Sequence, residues 1–443
     1  MTSEGPLLLG LDVGTTRTKA VLVDRAGSQR GSASLSTPFA KSAEGVEMPV
    51  EDLRAAVGRV LADLGPQRET VAAVGVAGVA ESGAPHDEAG RPLGPVIAWH
   101  DPRGDETVRR LQERFGDSLA EQIGQRLRTV SSVAKLGWLV DHGTQVRRWL
   151  GVPELCLLHL SGEQATEYSL AARTGCYDVA RRSWIPEVAE AAGIPLTAFP
   201  EVAGAGSVMG RVSAPGAEWS GLPAGIPVTV AGHDHLVGAV GAGAGESDLV
   251  NSVGTAETVL RRHPSPPDAG QALELKVAVS VAPAGRGWVA LASGARAGVV
   301  LASAGEALGR SLSELDEMAA GAEAVEAKAL LESIESGSAP SVPDAPPGAV
   351  WKGLLSALAG RTIEAVDRVV TLLGPAHRLV VFGGGSRSRP WMQAKAGASS
   401  LPVFRAATEQ AVARGAAVFA GVAAGWWPST PDAPAPPLEA VSG

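Results

Sequence analysis

Gly10-Leu-Asp-Val-Gly-Thr-Thr-Arg-Thr-Lys19 lies between the apolar runs Leu7-Leu8-Leu9 and Ala20-Val21-Leu22-Val23. Each run is short and apolar enough for a buried strand, which predicts strands over 7–11 and 18–24. The turn between them brings together one carboxylate (Asp12), one glycine (Gly14) and two hydroxyls (Thr15 and Thr16). Backbone N–H groups and hydroxyls that converge on one point suit an anion with several oxygens. Asp12 sits where a carboxylate could hold a hydrated divalent cation against that anion, since Mg²⁺ keeps much of its water. A P-loop would need a helix after its glycines, and here a strand follows. An ordinary hairpin turn is the competing reading of these ten residues.

The composition narrows the classes. A chain of 443 residues, with 45% hydrophobic and 19% charged residues, has enough length for two or three domains and a large core. Its net charge of −9 argues against nucleic acid or an anionic membrane as the main partner. Cys156 and Cys176 have no metal-ligand spacing, which fits a reducing cytoplasm. Met1–Pro6 is polar and leads directly into the first strand, so no signal peptide is expected. No apolar run reaches the length of a membrane span.

Further along, the apolar positions of 50–64 recur with helical period, and 71–79 is a continuous apolar strand. Helical patterns follow at 103–115 and 132–140. A second strand-rich half begins near Ile226, with strands expected at 228–231, 248–253, 288–292 and 379–382 and helices at 297–308, 350–373 and 411–424. The proline-rich stretch from Pro428 to Pro437 reads as a flexible tail. Three more sites stand out in this half. Val228-Thr-Val-Ala-Gly-His-Asp-His235 ends a strand at a glycine and presents Asp234 at its tip, where a carboxylate suits a general base. Helix N-capping is the alternative use of Asp234. Leu249-Val-Asn-Ser-Val-Gly-Thr-Ala256 is a second strand opening on a glycine–threonine turn. Leu379-Val-Val-Phe-Gly-Gly-Gly-Ser386 is a strand opening on three glycines, which lets backbone approach a ligand closely.

These four sites, in this order, resemble the FGGY family of carbohydrate kinases, which includes xylulokinases, glycerol kinases and ribulokinases. The resemblance runs from about Leu7 to Gly425. Val74-Gly-Val-Ala-Gly78, Ile97-Ala-Trp-His-Asp-Pro-Arg103, Lys135-Leu136-x-Trp138-Leu139 and Ser161-Gly-Glu-Gln-Ala-Thr166 match further family runs, and 383–393 looks like its adenine-side loop. The resemblance implies an α/β protein of two actin-like (ribonuclease H-like) ATPase domains flanking a cleft. An N-terminal domain over 7–244 would bind sugar and carry the first phosphate loop. A C-terminal domain over 245–425 would bind nucleotide, and 426–443 would be the tail. ATP and Mg²⁺ are the implied cofactors, and a small sugar or polyol the implied substrate. Asp12 would organise Mg²⁺, while Gly14, Thr15, Thr16, Gly254 and Thr255 cradle the phosphates. Gly383, Gly384, Gly385 and Ser386 would border adenosine. Asp234 would take the proton from the attacking hydroxyl, and Glu81, Trp99, Asp101 and His235 would contact the sugar. Oligomeric state is left open, with a homodimer as one outcome.

The chain also departs from the family. Xylulokinases usually carry Q-M-H-G where this sequence reads Val79-Ala80-Glu81-Ser82, and glycerol kinases carry Q-R-E-T. Glu81 thus matches a polyol-binding glutamate, but Ala80 lacks the arginine beside it. A carboxylate can accept two hydroxyl hydrogen bonds, which suits a polyol or an open-chain sugar. A salt bridge from Glu81 to Arg103 is the purely structural alternative. Lys19 reads as solvated or salt-bridged rather than phosphate-bound. The segments 154–160 and 336–348 are shorter than, or lack, the family's D-Y-x-x-x-R-L and G-E-R-x-P patterns. D-Xylulose is the leading substrate on this reading. A glycerol- or erythritol-type polyol kinase and a weakly catalytic nucleotide-binding protein of the same fold are its alternatives.

Overall fold

The computed structural model describes residues 5–42 and 44–443. Residues 1–4, and with them most of the Met1–Pro6 leader reading, lie outside the described residues. Two mixed sheets organise the chain. The first holds β1 (Leu7–Val13), β2 (Arg17–Val23), β3 (Gln29–Ser36), β4 (Val71–Gly78), β5 (Gly210–Arg211) and β6 (Pro227–His233). Its order is β5-β6-β4-β1-β2-β3, an antiparallel β1–β2–β3 meander with β4 and β6 added in parallel beside β1.

The second sheet repeats that plan. It holds β7 (Leu249–Val253), β8 (Glu257–His263), β9 (Val277–Val281), β10 (Trp288–Ser293), β11 (Leu379–Phe382), β12 (Val403–Ala406) and β13 (Leu438–Val441). Here β7, β8 and β10 form the meander, and β11 and β12 run parallel beside β7. Each meander opens with a hairpin, β1–β2 or β7–β8, and each hairpin turn is one of the two glycine–threonine turns. β1 is buried along its whole length, which is why its sequence is apolar on both faces rather than alternating.

The helices that place the site are α1 (Val50–Asp63), α2 (Ser132–Asp141), α3 (Val152–Ser161), α4 (Tyr168–Ala171), α5 (Asp234–Gly241), α6 (Ala297–Leu308), α7 (Pro347–Leu373), α8 (Arg389–Ala398) and α9 (Ala411–Ala423). α1 closes the outer face of the first sheet with Leu53, Val57, Val60 and Leu61. α9 comes late in the chain yet packs on β1, β4 and α5 of the first half. It does so through missing side chains: a Cβ on Gly10, Gly75 or Gly241 would overlap the carbonyl oxygens of Ala413, Ala416 and Ala411. A small five-stranded sheet, from Ala40–Lys41 to Arg148–Gly151, carries the sugar-side segment.

The segment 426–443, expected to be a flexible tail, is instead packed against both halves. Trp427 is buried with Leu8, Val21, Val23 and Ala73. Arg414 donates to the Pro434 carbonyl at 2.5 Å, the Ala407 N–H donates to the Pro437 carbonyl, and β13 pairs antiparallel with β12. Prolines exclude a helix here but not an extended strap, and the free edge of β12 offers that strap a partner.

Candidate active site

The two glycine–threonine turns meet. Thr16 Oγ1 lies 3.3 Å from Thr255 Oγ1, although the residues are 239 positions apart. The first turn is closed by Gly14 N–H donating to the Arg17 carbonyl at 3.0 Å, and Thr37 Oγ1 donates to the Gly14 carbonyl at 2.8 Å. The second is closed by Gly254 N–H donating to Ala256 O at 3.1 Å. Gly298, in the first turn of α6, sits so tightly on it that a Cβ there would come 2.8 Å from Thr255 Cα.

Asp12 lies at the floor of this meeting point, 4% exposed. Burial pushes its carboxyl up to about 6, against the pull of Lys19, and the nearby Asp234 adds to the rise. Lys19 Nζ is 3.5 Å from Oδ2, an ion pair rather than a free phosphate ligand. Oδ1 is buried and has no hydrogen-bond partner. A buried carboxylate oxygen without a partner is costly, and a divalent cation with its water shell would complete it. The residues present therefore fit Mg²⁺.

Asp234 stands at the first position of α5, with His233 as the N-cap. His233 thus takes the N-cap position without a side-chain capping bond, and Asp234, one residue further on, still benefits from the helix N-terminus. Its Oδ1 accepts the His235 N–H at 2.7 Å and lies 3.3 Å from His233 Nε2. Burial, with the charges of His235 and Arg173, holds His233 well below the usual histidine range, so it faces Asp234 as a neutral ring. His235 Nδ1 reaches Ser252 Oγ in β7 at 2.9 Å, a second bridge between the halves.

On the sugar side, Glu81 adopts a left-handed backbone (φ 63°), a strained conformation for a non-glycine residue. Its Oε1 is held by Arg173, Nε at 2.7 Å and Nη2 at 2.6 Å, and Arg173 Nη1 donates to Gln125 at 2.5 Å. The alternative bridge to Arg103 is not formed. Arg103 pairs with Glu47 at 2.6 Å and with Asp101. That pairing also engages Asp101, one of the residues expected to contact the sugar. Its oxygens accept from Arg103 Nε and Nη2, the Arg103 N–H and the Val46 N–H, all within 3.0 Å, so the carboxylate anchors its own loop. Trp99 donates its indole N–H to Thr15 Oγ1 at 2.9 Å, joining the sugar segment to the first phosphate turn. Lys135 of α2 is fully buried and holds Trp99 from behind by donating to its carbonyl at 3.1 Å.

Glu81, Ser82, Glu154 and Thr166 line a common cleft. Asp234 is not among its walls. The link between them is Arg173, which binds Glu81 and whose charge acts on His233. Arg173, Gln125 and His233 were missed from sequence. The signal available for Arg173 was one arginine in the otherwise uncharged stretch Leu170–Cys176.

The three glycines after β11 differ from one another. Gly383 has φ +105°, and a Cβ on it would overlap the Val253 carbonyl. Gly385 has no room beside Val253 and Trp391, whereas Gly384 faces open space. Gly383 and Ser386 line an open cleft with Arg387, Arg405, Thr408 and Glu439.

Comparison with known proteins agrees with this geometry. The profile of the FGGY family of carbohydrate kinases, N-terminal domain, matches residues 7–241, and that of its C-terminal domain matches residues 334–424. The L-fuculokinase of Escherichia coli is 28% identical over 457 aligned positions, covering 95% of this chain and 92% of the relative. The xylulose kinase of Streptomyces coelicolor is 28% identical, covering 94% and 88%. Among solved structures, xylulose kinase from Rhodospirillum rubrum superposes with a TM-score of 0.80 at 23% identity, covering 95% of this chain and 92% of that one. The chain belongs to the FGGY family of carbohydrate kinases. It has the two-domain actin-like fold, and its activity is ATP-dependent phosphoryl transfer to a sugar or polyol.

Proposed function

We propose that this kinase transfers the γ-phosphoryl group of ATP to a hydroxyl of a neutral ketose, with Asp234 as the base that takes the hydroxyl proton. The observation that carries this reading is the meeting of the two threonine turns beside Asp12 and Asp234. Phosphoryl transfer needs alignment and charge stabilisation more than covalent chemistry. The turns at Gly14–Thr16 and Gly254–Thr255 supply N–H groups and hydroxyls for the phosphates, and Gly384 gives adenosine a place to approach. Asp12 would hold Mg²⁺, which neutralises phosphate charge when bound.

A neutral substrate follows from the charges. Asp12 and Asp234 lie near each other at the turns, Glu81 lines the sugar-side cleft, and the Arg173 guanidinium is already committed to Glu81 and Gln125. A sugar acid would add a further negative charge beside these carboxylates. D-Xylulose leads, and L-fuculose stands beside it because of the L-fuculokinase relative. A polyol is the second reading, favoured by one observation. The arginine that Ala80 lacks is supplied from elsewhere in the chain, since Arg173 places a guanidinium on Glu81. A panel of ketoses, sugar acids and polyols assayed for ADP release with Mg-ATP tests this. Ketose-dependent ADP release is expected; a response confined to sugar acids would reject the charge argument, and one confined to glycerol or erythritol would favour the second reading.

A further inference from the structure

Glu167 follows the Ser161–Thr166 run and has no part in the reaction described above, yet it is completely buried. It caps α4 from the end of a short parallel ladder, Ala165–Glu167 against Glu201–Ala203. Its Oε2 accepts the Ser169 N–H at 2.7 Å and the Ser169 hydroxyl at 2.5 Å. Its Oε1 accepts the N–H of Ala284, in the Pro283–Gly285 turn of the second half, at 3.1 Å. Ser169 Oγ accepts the N–H of His233 at 2.9 Å. The contact is specific to a glycine: a Cβ on Gly232 (φ +116°) would lie 2.5 Å from Ser169 Oγ and 2.6 Å from Glu167 Oε2. At this same point β6 slips register against β4, between Val230 and Gly232. Bulges of this kind re-aim the residues that follow them, here His233 and Asp234. Tyr168 closes the junction by packing its ring on Gly285. Burial pushes the Glu167 carboxyl up to about 8, against the hydrogen bonds from Ser169, so near neutral pH it adds little charge beside the base.

We propose that Glu167 and Ser169 are positioning residues: they hold the bulged strand end that aims Asp234, and they tie that strand end to the Pro283–Gly285 turn of the nucleotide-side half. The proposal rests on reading Asp234 as the base. If the pair acts through Asp234, its loss should cost turnover only while Asp234 can accept a proton. The test is a double-mutant cycle of Ser169→Ala with Asp234→Asn, read as kcat and as KM for ATP, with thermal melting as the fold control. Ser169→Cys, which keeps the volume but weakens the hydrogen bonds, guards against misfolding of the alanine variant. Expected is a loss in kcat of about tenfold for Ser169→Ala with KM for ATP within about twofold, and no further loss in the Asp234→Asn background. Glu167→Ala should lose at least as much, and Glu167→Asp should recover part of it. An equal loss in both backgrounds, or unchanged kcat in a folded Ser169→Ala, would overturn the positioning role alone. Parent-like turnover in Asp234→Asn by itself would remove the base reading and this proposal with it.

Discussion

Asp234 has its carboxylate fixed by the His235 N–H and faced by neutral His233, so an amide in its place keeps the shape and loses only the proton acceptor. Asp234→Asn should therefore lower turnover by roughly 10²–10⁴-fold while ADP and ATP titrations stay unchanged. Asp12 makes a different prediction, because its proton is held up to about pH 6 against an ordinary value of 3.8. Between those values the folded chain keeps a proton that the unfolded chain has lost, so this residue's contribution to stability falls as pH rises through the window. A dication that binds the ionised carboxylate relieves that penalty. The extra thermal shift that Mg²⁺ gives in the presence of ADP should thus exceed that of Asp12→Asn by a margin that widens from about pH 5 to about pH 7. A margin that is zero, or does not change with pH, would take Asp12 out of the metal site. Both carboxylates were visible in the sequence because each stands at the end of an apolar strand, two residues from a glycine. Arg173 was not, because its partner Glu81 is 92 residues away and no local pattern links them.

Elements explain which glycines a ligand needs. In the run after β11, Gly383 and Gly385 are dictated by the Val253 carbonyl and by Trp391, so their substitution should unfold or shift the loop. Gly384 is dictated by nothing in the protein. Gly384→Val should leave the melting temperature within a few degrees of the parent and raise KM for ATP, with KM for the sugar unmoved; a normal KM for ATP would place adenosine elsewhere. At this scale the long strands and helices were legible, since apolar runs and helical periods span several residues: 297–308 and 379–382 fall where expected. Ala40–Lys41 and Val46–Met48 of the small sheet were not, because strands of two or three residues carry no periodic signal. The helix expected at 103–115 does stop there, at non-helical Gly116, and only the second helical stretch that follows the kink as far as Gln122 was not anticipated.

Across the whole molecule, the two halves are joined by more than the chain between them. Thr16 meets Thr255, His235 meets Ser252, Glu167 meets the Ala284 N–H, and α9 rests on the first sheet. The duplication of the sheets could be anticipated from two similar turns, but the C-terminal strap could not, because proline content marks the absence of a helix and not the absence of contacts. The strap runs from Trp427 on the first sheet, past Pro434 beside Gly27 and Ala435 beside Gly243, to β13 on the second. Its Glu439 pairs with Arg405 at 2.5 Å, and both residues wall the cleft next to Gly383. Two truncations should separate these contributions. Ending the chain after Pro437 removes β13 and Glu439 while sparing Trp427, so KM for ATP should rise, with only a small fall in melting temperature. Ending it after Gly425 also removes Trp427, whose burial is worth about 3–5 kcal/mol by analogy with large-to-small core changes, so melting should fall by several degrees more. Equal melting of both truncated forms and the parent would mean that the strap holds nothing together. An unchanged KM for ATP in the shorter deletion would mean that β13 caps an edge without shaping the nucleotide cleft.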